Sequence, residues 1–153
     1  MRYLAPQLIM VAFLAGCATT ARYQNYLGQD GACVKGHSAG FFDYVSEKES
    51  MVSIDAVDGV PTGGGAIYGP YCFPSGKHSL GISTSSRNTF SKLHLELQFD
   101  PGKKYELRSD LRGISFILKF VDISTSPEVM IAEYRVKVSG SEVPSFPIII
   151  PAR

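Results

Sequence analysis

Eight residues near the middle of the chain, KLHLELQF, alternate without a break. Leu93, Leu95, Leu97 and Phe99 fall on one side, and Lys92, His94, Glu96 and Gln98 on the other. A period of two is the signature of a half-buried β-strand, whereas a helix would scatter the same leucines around its axis. The pattern returns in ISFILKF, where Ile114, Phe116, Leu118 and Phe120 share a side. Shorter versions occur in MVSIDAV from Met51, HSLGIS from His78, KYEL from Lys104 and YRVKV from Tyr134. Helical periodicity is scarce, and the single short helix that the pattern allows lies within FFDYVSEKES, residues 41–50.

Turn chemistry separates these runs. Val57-Asp58-Gly59 ends one strand, and Thr62 to Gly65 makes a glycine-rich loop. Phe-Pro-Ser-Gly-Lys at 73–77 and Phe-Asp-Pro-Gly-Lys at 99–103 each open a new strand. About seven short strands with one apolar face predict an all-β fold, an antiparallel β-sandwich of immunoglobulin-like or transthyretin-like type, over residues 32–138. Residues 139–153 are proline-rich, so they suit an edge strand or an extended tail, with Ile148 to Ile150 packed across the sandwich.

The N-terminus carries a different signal. Arg2 is followed by an apolar run from Leu8 to Leu14 and then by Leu14-Ala15-Gly16-Cys17. The run is far shorter than the roughly 20 apolar residues that cross a bilayer, so it reads as an export signal. The last four residues resemble the lipobox of bacterial lipoproteins. That resemblance implies removal of residues 1–16 and lipidation of Cys17 as a diacylglyceryl, then triacylated, cysteine. More than one acyl chain is what stable anchoring requires. Ala18, where inner-membrane lipoproteins carry aspartate, implies the outer membrane, and the periplasmic face rather than the cell surface is expected. Residues 17–31, small and polar, then read as a lipidated tether.

Loss of Arg2 with the signal leaves 14 of the 15 basic side chains against 14 acidic ones. Such a balance gives no sign of a nucleic-acid partner. Cys33 and Cys72 remain, and an even pair in an exported chain is most simply a disulfide. On the chain-entropy model, closing a loop of about 40 residues contributes about 4 kcal/mol.

The order of motifs from Met51 to Asp122 is similar to that of small proteobacterial lipoproteins with a PEGA-like β-sandwich. It runs through Val57-Asp58-Gly59, the glycine loop, an aromatic, Pro74-x-Gly76-Lys77-His78-x-Leu80, an alternating strand, Pro101-Gly102-Lys103-x-Tyr105-x-Leu107, and a strand ending in Asp122. Ser75, inserted between Pro74 and Gly76, departs from that pattern. The motifs are turn chemistry, so the resemblance implies a fold and brings no catalytic residues with it.

Candidate chemistry is sparse. Gly36-His37-Ser38-Ala39-Gly40 fits the G-x-S-x-G nucleophile elbow. An elbow needs a parallel α/β sheet around it, so GHSAG reads as a loop and an esterase using Ser38 is the least favoured function. His37, His78 and His94 have no metal-ligand spacing, and no metal or cofactor is expected. His94 should face solvent on its strand, and His78 should hydrogen-bond across its hairpin. Asp55 and Asp58 lack the remaining ligands of a calcium loop. Gly63 to Gly65 are not followed by the lysine-serine pair of a phosphate loop. Tyr68, Tyr71 and Phe73 flank Cys72 and form the one candidate ligand-binding cluster, because tyrosine offers a flat apolar face and a polar tip. The reading is a non-enzymatic, lipid-anchored envelope protein that binds another envelope component, a protein first and a glycan or peptidoglycan second.

Overall fold

The computed structural model describes residues 21–40, 43–44, 49–63, 68–138 and 147–148. Ten strands appear among them: β1 Gly31–Lys35, β2 Met51–Val57, β3 Val60–Pro61, β4 Tyr71–Pro74, β5 Gly76–Ser86, β6 Thr89–Phe99, β7 Lys104–Arg112, β8 Ser115–Asp122, β9 Val129–Lys137 and β10 Pro147–Ile148. They form two packed sheets, one ordered β10-β9-β8-β7-β1-β4 and the other β3-β2-β5-β6. The protein is an all-β sandwich. Asp43 and Tyr44 are helical, and the rest of the expected helical stretch, apart from Glu49 and Ser50, lies outside the described residues.

The alternating run around Leu95 is β6, paired antiparallel with β5 over its whole length from Gly76↔Phe99 to Ser86↔Thr89. Leu93, Leu95, Leu97 and Phe99 are buried, as the period demands. The Val-Asp-Gly turn joins β2 to β3 with both central residues at positive φ, Asp58 at 50° and Gly59 at 76°. That is the twist a two-residue hairpin needs, and aspartate and glycine tolerate it best. Aromatic rings fill one end of the core: Phe99 meets Phe73 at 4.6 Å, Tyr105 at 5.2 Å and Phe120 at 5.4 Å, all edge-on. The Tyr105 hydroxyl accepts from the Asp100 amide at 2.9 Å, so its polar tip is satisfied.

Three details differ from the sequence reading. Ile114 does not share the buried side of β8; it is 80% exposed. Gly113, at φ 61°, turns the chain between β7 and β8, so the strand proper begins at Ser115 and Ile114 stays in the turn. The sandwich is not wholly antiparallel either, since β1 runs parallel to β7 from Cys33↔Lys104 to Lys35↔Glu106. A long connection separates these two strands, which a parallel pair requires. Finally, residues 21–30 do not hang free as a tether. Cys72 donates its amide to Asn25 Oδ1 at 2.9 Å, and its carbonyl accepts from the Tyr23 hydroxyl at 2.6 Å and the Tyr26 amide at 2.8 Å. The segment is a strap that covers the open side of β4, an edge strand whose backbone groups would otherwise face water.

Cys33 and Cys72 face each other across β1 and β4 and are joined, with Cα atoms 4.1 Å apart. Pro147 and Ile148 form β10 at the far edge of the same sheet, opposite Tyr134 and Glu133 of β9. The remainder of the proline-rich tail, with Ile149 and Ile150, and Cys17 with its signal lie outside the described residues.

Candidate functional site

Strand β7 alternates on both of its faces. Tyr105, Leu107 and Leu111 pack into the core, so Glu106, Arg108, Asp110 and Arg112 project from the outer face of the sheet. Strand pairing extends this charged row sideways. Glu106 lies beside Val121 and then Met130, while Arg108 lies beside Lys119 and then Glu133. The result is a cleft of about 670 Å³ across β7, β8 and β9, closed at one side by His37 and Glu49.

His37 reaches this face because of what the chain does after β1. It leaves the sheet and crosses to β2, where His37 and Val52 exchange backbone hydrogen bonds at 3.0 and 2.8 Å. Gly36 makes the crossing possible. A Cβ there would lie 2.0 Å from the Val52 carbonyl oxygen, so no side chain fits. The chain then returns to β7, where the Ser50 amide donates to the Ser109 carbonyl at 3.1 Å.

Glu106 anchors two residues that line the cleft, Arg108 and His37. Its side chain is 6% exposed although it stands on an outer face, because cationic groups cover it. Arg108 approaches at 2.6 Å, His37 Nδ1 at 2.9 Å and Lys35 Nζ at 3.7 Å. Burial pushes the Glu106 carboxyl up, but the hydrogen bonds from Arg108 and His37 and the charges of Arg108 and Lys35 outweigh it, and the net shift is downward. The Arg108 guanidinium is shared: it also grips both oxygens of Glu128, at 2.7 and 3.1 Å. Glu128 and Glu106 together hold the guanidinium firmly in its charged form, and Glu128 is itself pulled below the usual carboxylate range by Arg108. Lys119 closes a further pair with Asp110 at 2.5 Å. The second His37 nitrogen, Nε2, meets Glu49 at 3.2 Å, so one imidazole links two carboxylates from separate segments.

Met130, 46% exposed at the start of β9, lines the cleft, and its neighbours along the strand, Val129 and Ile131, are 49% and 46% exposed. A pre-formed, ion-paired floor beside an exposed hydrophobic strip can hold a polar or charged surface in a fixed orientation.

The anticipated residues fall elsewhere. Tyr71 and Phe73 are buried in the core, 6% and 1% exposed, and Tyr23 packs edge-on against Tyr71 at 6.1 Å. They do not offer a stacking platform, because the alternation that buries Phe73 on β4 buries Tyr71 as well. Tyr68 is half-buried, and its hydroxyl donates to the Met51 sulfur at 3.3 Å. Ser38 is exposed in the loop after β1, and its neighbour His37 is engaged by Glu106 and Glu49. His78 bonds to Asp58 of the β2–β3 turn at 2.7 Å and to the Pro74 carbonyl at 2.8 Å, so it clasps two turns to β5. His94 lies on the outer, exposed face of β6. Among the described residues no cluster of three or more potential ligands could hold a metal, and no helix is long and apolar enough to cross a membrane.

No family model, curated protein or solved structure matches the chain.

Proposed function

We propose that this protein is a lipid-anchored, non-enzymatic module of the bacterial envelope that holds a protein partner on the outer face of β7–β9. The observation that carries the reading is the composition of that face. Arg108, held by the buried Glu106 and by Glu128, lines it beside the Lys119–Asp110 pair, and the exposed Met130 stands at its edge, flanked along β9 by the exposed Val129 and Ile131. Protein interfaces combine an apolar anchor with a satisfied polar surround in this way, whereas small-molecule pockets are concave and mostly apolar. The export signal and Cys17 support attachment to the membrane, which raises the local concentration of the module next to other envelope proteins.

The test is capture of the lipidated protein, crosslinked in its own cells. A companion should be recovered whose yield collapses in Met130→Asp, which puts a charge into that apolar edge, and in Cys17→Ala, which removes the anchor. Arg87→Glu, an exposed change in the β5–β6 turn, should leave the yield unchanged. Equal recovery with Met130→Asp would move the partner off this face, and recovery of no companion at all would defeat the binding role.

A further inference from the structure

Strand β6 ends its sheet. Its whole length from Thr89 to Phe99 pairs with β5 on one side, and no described strand pairs on the other. The remaining edges are treated differently. The strap of Tyr23, Asn25 and Tyr26 covers β4, and β3 and β10 are each only two residues long. An edge as long as β6 presents a row of backbone donors and acceptors ready for another strand. The other sheet reaches β6 from inside the sandwich, where the inward Ser91 hydroxyl donates to the Lys137 carbonyl at 3.2 Å.

We propose that the occupant of this edge is β6 of a second copy of the chain, paired antiparallel about a two-fold axis at His94. The argument is one of register. In an antiparallel pair of identical strands, facing residue numbers have a constant sum. An odd sum would place inward residues opposite outward ones, so only even sums keep both apolar faces in their cores. The sum that overlaps the full strand pairs Thr89 with Phe99, which centres the pair on His94. That same register sets Lys92 of each copy directly opposite Glu96 of the other, on the exposed side of the sheet. Shifting the strands by one two-residue step shortens the overlap and places Lys92 opposite His94 or Gln98 instead. Maximum backbone pairing and charge matching therefore select the same alignment, and nothing in the fold of one chain requires them to coincide. Phe90, 55% exposed at the strand's end, falls opposite the partner's Gln98 in this register and loses exposure there. Glu96 already has Lys77 as a neighbour in its own chain, and a carboxylate accepts from two ammonium groups without strain. Two four-stranded sheets become one continuous sheet with an isologous seam.

Charge exchange tests the register directly, using the full chain in detergent and sedimentation velocity. The wild-type chain should dimerise in the micromolar range. Lys92→Glu and Glu96→Lys should each weaken that dimer at least tenfold, because two like-charge pairs replace two attractive ones. Both side chains project from the outer face, so circular dichroism should show each variant folded. An equimolar mixture of the two variants should restore association, since each chain then supplies what the other lacks. A wild-type chain that stays monomeric would overturn the proposal, as would a dimer indifferent to either change. A photocrosslinker at position 96 that captures other proteins but never a second copy would also overturn it, and would assign the edge to a foreign strand.

Discussion

The two ends of the sandwich interior are built from opposite materials. At one end Phe73, Phe99, Tyr105 and Phe120 interlock, and the Cys33–Cys72 disulfide staples the strands above them. At the other, the same inward positions carry Ser50, Thr84, Ser86 and Ser109, whose buried hydroxyls have no hydrogen-bond partner among the described residues. A buried hydroxyl without a partner costs about 1–3 kcal/mol, so the second end gives up stability that the first supplies. The weaker end is also the one that borders the cleft, since Ser109 and Arg112 line it and Ser50 bonds to Ser109. The packing is tightest away from the Ser109 side of the cleft.

Substitutions at the two ends should therefore move stability in opposite directions. Phe99→Ala opens a cavity among four rings and should cost about 4 kcal/mol, read as a lowered denaturant midpoint at unchanged slope. Loss of the staple in the double variant Cys33→Ser/Cys72→Ser should cost about 3 kcal/mol by the same measurement. Glu106→Gln, on the outer face of β7, should cost about 2 kcal/mol, because it weakens charge-assisted bonds to Arg108 and His37. At the bottom of the scale, Thr84→Val should raise stability by up to about 1 kcal/mol, since it removes a buried hydroxyl that no described residue satisfies. If Thr84→Val lowers stability instead, that hydroxyl has a partner and the contrast between the ends fails.

Acid probes the paired carboxylates directly. The folded pKa of Glu106 lies below its unfolded value, so its contribution is complete above the ordinary glutamate range and is lost as pH falls through the folded value. Asp58 and Asp122 are lowered too, against burial, by His78 and the Ser79 amide in one case and by Ser124 and Lys103 in the other. Thermal melts should therefore lose temperature as pH drops below about 4.5. Glu106→Gln should show a shallower loss over that interval, and a slope equal to wild type would remove Glu106 from the account.

Much of the fold was legible because it rests on local chemistry. The alternation of Leu93 to Phe99 predicts β6 and its buried face, and Val-Asp-Gly predicts a tight hairpin. The cysteine pair was readable from parity. The cleft was only half readable. Glu106, Arg108, Asp110 and Arg112 form a charged row at period two that continues KYEL, and this row alone marks an outward, polar strand face. Nothing local announces that His37 and Glu49 arrive there, since that depends on the chain crossing between sheets at Gly36. Tyr71 and Phe73 misled for a related reason. Aromatics beside a cysteine look the same in sequence whether the strand shows them to solvent or to the core, and only the packing of β4 decides it. Ile114 fits the period of β8, but Gly113 spends that position on the turn.

The strap along β4 has a mechanical meaning. A pull delivered from the N-terminal side meets the hydrogen bonds of Tyr23, Asn25 and Tyr26 first, and peeling them frees chain at no more than about 3.5 Å per residue. The slack ends at Cys33. Beyond it, tension passes through the disulfide into β4 instead of unzipping the rest of β1, so drag on the domain is borne by a covalent bond and the strap acts as a short, re-formable shock absorber.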